Sequence, residues 1–165
     1  MIKSKFKYQA YVLAFATVLF AITSLISFVQ NIESGDPPMI FLIPISIFFV
    51  FVWNWIFFIE LRTKAISVEI GSDAIKVKRY LGLGPTKVYL LDSITGFKTS
   101  ILQSKGGSYE YLYLMIGDRK IAKLSEFYHG NYKELKSNIV SLGIKRLVAE
   151  VFSNWRELKD IFSKT

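Results

Sequence analysis

Ala10 to Val29 form twenty consecutive residues without a charge, and Met39 to Ile59 form twenty-one. At about 1.5 Å per residue each is roughly 30 Å long as a helix, the thickness of a bilayer's hydrocarbon core. The first run holds eleven Leu, Ile, Phe or Val residues and the second fifteen. At roughly −0.3 to −0.6 kcal/mol each near the bilayer centre, both runs favour insertion. The pattern predicts two membrane spans, 10–29 and 39–59, joined by an outer loop at 30–38. Beyond Glu60 the apolar period drops from helical spacing to two, the mark of half-buried strands. Ile66, Val68 and Ile70 alternate with Ser67 and Glu69, and Ile75 and Val77 alternate with Lys76 and Lys78. Further strands are predicted around 87–91, 94–102, 109–116 and 119–124, the last two flanking the Gly117-Asp118 hairpin signal. Six strands on short turns leave no room for crossover helices, so the sheet is expected to be antiparallel and strongly bent.

A helix should follow, with Asn131 as N-cap, Glu134 completing a capping box, and Gly143 as its stop. Tyr132, Leu135, Ile139 and Leu142 form its apolar face. A second amphipathic helix is expected over 144–165, with Leu147, Val151, Trp155, Leu158 and Phe162 on one face. The chain thus divides into a basic amino-terminal segment (1–9), a helical hairpin (10–59), a strand-rich domain (60–143) and the closing amphipathic stretch.

Charge gives the arrangement a direction. The net charge of +8 consists of +3 from Lys3, Lys5 and Lys7, −2 from Glu33 and Asp36, and +7 after residue 59. The positive-inside rule places both chain ends in the cytoplasm and the acidic loop outside. Tyr8, Tyr11, Trp53 and Trp55 then fall at the cytoplasmic interface, where amphipathic rings are enriched. Ala10, Ala14, Thr17, Ala21 and Ser24 share one face of the first span, suited to close helix packing. Asn54 in the second span is expected to bond across to the first helix, or to another subunit.

The strand-turn-strand "ISVEIGSDAIKVKRYLGLG", the following "TKVYLLDSITGFK" and the closing "NYKELKSNIVSLG" resemble the membrane-anchored bacterial pleckstrin-homology (PH) proteins, over roughly 65–142. The fold class expected is a membrane α-helical hairpin plus an α+β PH-like domain, a bent antiparallel barrel closed by a helix. A PH fold has seven strands, one more than the alternation marks here. The resemblance implies a non-catalytic module in a bacterial inner membrane, recognising a protein partner or anionic lipid headgroups. An accessory subunit of a larger membrane complex is the alternative.

Candidate chemistry is sparse. The chain has no cysteine and one histidine, which excludes thiolate or two-histidine metal sites and a cysteine nucleophile. His129, in "FYHGNY", reads as a surface residue. No catalytic triad order, paired-carboxylate motif or phosphate-binding glycine loop is present, so neither cofactor nor metal is expected. Lys76, Lys78, Arg79 and Lys87 are the candidate lipid- or anion-binding residues, with Lys87 joining the face shared by Lys76 and Lys78. Trp155, Phe162 and Asn54 are the candidate partner contacts, for a protein partner or a second copy. The bases follow no recognised nucleic-acid module, so nucleic acid is not an expected ligand.

Overall fold

The computed structural model describes residues 1–33, 42–55, 57, 61–104 and 107–148. Among these residues seven strands and three α-helices follow in the order β1 (Ile2–Lys3), α1 (Tyr8–Glu33), α2 (Leu42–Asn54), β2 (Ser67–Ile70), β3 (Ala74–Lys78), β4 (Thr86–Leu90), β5 (Gly96–Ser104), β6 (Gly107–Ile116), β7 (Arg119–Ser125) and α3 (Tyr132–Ser141). The six strands predicted by alternation are all present. The seventh, β1, lies in the segment that reads from sequence only as a basic tail.

The strands form two antiparallel sheets, β1-β2-β3-β4 and β5-β6-β7, giving an α+β class. Among the described residues they do not close into a barrel. The single-turn helix Leu91–Ser93 separates β4 from β5 and interrupts the ladder between them. Val68, Ile70, Ile75 and Val77 of the first sheet meet Phe97, Leu112, Leu114 and Leu124 of the second, and α3 covers them with Leu135 and Ile139. Burying each such side chain stabilises the domain by about 1.5–3 kcal/mol. The central strand β6 is buried on both faces: Leu112 and Leu114 inward, Tyr111, Tyr113 and Met115 outward.

Tyr8–Ile26 within α1 is long and apolar enough to cross a membrane. Its outward residues, among them Val12, Phe15, Val18, Leu19 and Ile22, are exposed, as are Ile47, Phe48 and Phe51 of α2. Together these side chains form an apolar surface that the described residues leave uncovered. The two helices meet at Phe20 and Phe49, edge to face at 4.5 Å, and Thr17 of the small-residue face is buried. The second predicted span, 39–59, is described only at Leu42–Trp55 and Phe57.

After α3 the chain does not at once enter another helix. Phe97 N–H donates to Lys145 O at 2.9 Å and Leu147 N–H to Phe97 O at 2.8 Å, so this stretch lies parallel to the start of β5. Gly96 permits the approach, because a Cβ there would come within 2.6 Å of Lys145 O. The rest of the predicted amphipathic helix, 149–165, lies outside the described residues.

Candidate membrane-facing site

The strand that precedes α1 and the first strand after α2 run side by side. In β1, Ile2 pairs with Ile70 and Lys3 with Glu69. The chain then turns toward α1 still bonded to its neighbours. Ser4 N–H donates to Val68 O at 2.8 Å, and Ser4 Oγ accepts Val68 N–H at 2.9 Å. On the other side, Gly130 N–H donates to Lys5 O and Lys7 N–H to Tyr128 O, each at 2.8 Å. The segment entering α1 is held between β2 and the 128–131 turn.

Two polar side chains complete this junction, and both differ from their sequence reading. His129 is fully buried rather than on the surface. Its Nε2 lies 2.8 Å from Ile66 O, and Nδ1 lies 3.1 Å from Ser125 N. A neutral ring protonated on Nε2 satisfies both, donating to Ile66 O and accepting from Ser125 N–H. Phe6 packs against the ring at 5.3 Å between centroids. Burial lowers the His129 pKa below its ordinary value, against the opposing pull of its backbone bonds. Asn131 stands at the N-cap position but makes no cap bond to α3. Its Oδ1 instead accepts Lys5 N–H at 2.8 Å and its Nδ2 donates to Lys3 O at 3.0 Å. An open depression lined by Lys7, Glu126, Gly130, Asn131 and Glu134 lies beside it.

Strand register decides the fate of the basic candidates. Lys76 pairs with Glu69 and Val88, and Lys78 with Ser67 and Thr86. Side chains directly opposite on paired strands share a face, so Lys3, Glu69, Lys76 and Val88 form one outward row. Lys87 pairs with Val77, a core residue. It therefore stands on the opposite face from Lys76 and Lys78 and does not join them. Val88 and Leu90 occupy the outward positions of β4 and are exposed. Arg79 begins the turn to β4, beside a feature that alternation alone does not reveal. Tyr80 and Leu81 both adopt positive φ, +52° and +56°, before Gly82 at +91°. Left-handed backbone costs a residue with a Cβ about 1 kcal/mol or more. Leu83, at the tip, is 89% exposed. The turn is tied to the exit from α2 by the Leu81 N–H to Ala65 O bond at 2.7 Å. It is tied again by the stacked rings of Phe57 and Tyr80, 5.1 Å apart.

Of the candidate partner contacts, Asn54 does not bond across to α1. Its Nδ2 donates to Val50 O, one turn back in its own helix, at 2.7 Å. Trp155 and Phe162 lie outside the described residues. On the outer face of the second sheet, Lys123 Nζ sits 4.3 Å from the Tyr111 ring centre and Lys120 Nζ 4.5 Å from that of Tyr113. Lys136 joins Glu110 through both carboxylate oxygens at 2.8 Å, fixing α3 to β6. No cluster of metal-ligating side chains occurs among the described residues.

No family model, curated protein or solved structure matches the chain.

Proposed function

We propose that the chain is a membrane-anchored, PH-like binding or scaffolding module, held on the cytoplasmic face of a bacterial inner membrane. It recognises a protein partner or anionic lipid headgroups and performs no reaction. The observation that carries this reading is the pairing of β1 with β2. Strands before the first apolar helix and after the second belong to one sheet, so the domain rides on the hairpin as a rigid mount. A rigid mount suits a module that presents a surface in a set direction and has no need of ligand affinity to reach the membrane.

The PH-like part of the reading gains support from β1 as well. Counting it gives seven strands, split four and three, with a helix packed across the core. In this scheme the hairpin replaces the loop between the first two strands, the loop whose bases serve headgroup binding in the eukaryotic phosphoinositide-binding PH domains. The outward row of exposed Lys76 and half-buried Lys78 beside Val88 is the recognition surface proposed here.

The orientation is tested with Asp118→Cys, which adds the chain's only thiol at an exposed turn. An impermeant maleimide should label it in inverted vesicles and not in right-side-out ones; the reverse pattern overturns the cytoplasmic reading. Recognition is tested by crosslinked co-purification from native membranes. A product lost on Lys76→Gln/Lys78→Gln supports the proposed surface, and one unchanged by it rejects that surface.

A further inference from the structure

We infer that the turn at 79–85 is a second membrane contact, with Leu83 and Tyr80 seated in the headgroup region of the leaflet that the hairpin crosses, and Arg62 and Arg79 on lipid phosphates. The inference rests on the reading of the chain as a membrane-anchored module and adds how the domain is held against the bilayer.

Register fixes which end of the domain faces the membrane. β2 leaves the apolar helices at Ser67, and Ser67 pairs with Lys78, which pairs with Thr86. The turn joining Lys78 to Thr86 therefore lies at the end where the chain passes to α1 and from α2. Trp53 and Phe57 stack at 5.4 Å, with planes 9° apart, and Phe57 stacks on Tyr80. An unbroken pile of rings runs from the apolar helix into the turn. Tyr8 and Tyr11 at the start of α1 and Trp55 just after α2 are exposed, as expected of an interfacial aromatic belt.

Charge complements this placement. Lys5 and Lys87 are exposed at that end. Arg79 opens this turn and Arg62 precedes β2 at the same end, both partly exposed, and among the described residues no carboxylate pairs with either. A guanidinium suits a phosphate, which it can meet through two parallel hydrogen bonds. An apolar tip among bases is the composition of an interfacial anchor on an anionic surface.

The chain's lack of cysteine permits a clean test. Full-length Leu83→Cys and Asp118→Cys proteins, each carrying an environment-sensitive fluorophore, are reconstituted in phosphatidylcholine vesicles with and without one-third phosphatidylglycerol. Leu83 is exposed, so its replacement leaves the core intact. In anionic vesicles the label at 83 should emit further to the blue and be quenched by acrylamide several-fold less than the label at 118. Arg62→Gln/Arg79→Gln should erase most of that difference. Equal quenching at 83 and 118, in protein that resists alkaline extraction, overturns the contact and leaves the anchored reading intact. Shielding at 83 that ignores both phosphatidylglycerol and the arginine substitutions overturns the phosphate contacts. Protein released by alkali overturns both readings.

Discussion

The two ends of the domain are built differently. At the distal end the chain reverses through turns closed by backbone bonds, such as Gly71 N–H to Ala74 O at 3.0 Å, and by Gly117 at φ +57°. At the proximal end, where the 79–85 turn is likewise closed by backbone bonds, side chains also bind backbone of other segments: Ser4 to Val68, His129 to Ile66, and Asn131 to Lys3 and Lys5. A local turn needs only permissive backbone. Segments distant in sequence need polar side chains that reach from one to the next. The contrast locates the rigidity of the mount where the chain passes to and from the apolar helices.

The largest expected effect falls on that junction. His129→Ala leaves Ile66 O and Ser125 N–H without their partner and opens a cavity, and should cost about 3 kcal/mol in urea unfolding followed by far-UV circular dichroism. Ser4→Ala, which removes the acceptor for Val68 N–H, should cost about 1–2 kcal/mol in the same assay. Gly117→Ala at the distal turn forces a left-handed alanine and should cost about 1 kcal/mol. A distal cost equal to that of His129→Ala would erase the distinction between the ends.

Acidity sharpens the comparison further. The folded protein keeps His129 neutral, whereas the unfolded chain protonates it near the ordinary value of 6.5. The His129 contribution is therefore flat above about pH 6.5 and declines below it, by at most about 1.4 kcal/mol per pH unit, until the lowered folded pKa is reached. His129→Gln should remove that slope, as seen in unfolding midpoints between pH 7 and 5. The smallest effect belongs to the outward face of β3: Lys76→Gln/Lys78→Gln should change stability by less than about 0.5 kcal/mol, so that any loss of binding reports on recognition.

The same contrast explains what could be read from the chain. Six strands were legible because alternating burial imposes a period of two, and α3 because Tyr132, Leu135 and Ile139 recur at helical spacing. β1 was not, since two residues carry no period and their partners at Glu69 and Ile70 lie beyond the whole hairpin. Asn131 and Glu134 have the spacing of a capping box, yet the Asn131 side chain is engaged by Lys3 and Lys5, a competition invisible to local rules. The face of Lys87 depended on its pairing with Val77, which no composition reveals. Of the candidate site, the bases could be chosen by charge. The Phe57–Tyr80 stack that ties their turn to α2 required the fold.

The central claim, that the segment before the first apolar helix is a strand of the domain after the second, is most directly tested by Lys3→Cys/Glu69→Cys. Directly paired antiparallel residues lie about 4.5–5.5 Å apart at Cα, within disulfide range. Mild oxidation of intact membranes should give an intramolecular crosslink, absent from a Lys3→Cys/Asp118→Cys control. A free amino-terminal tail would leave the two thiols unlinked, and that result would contradict the mount.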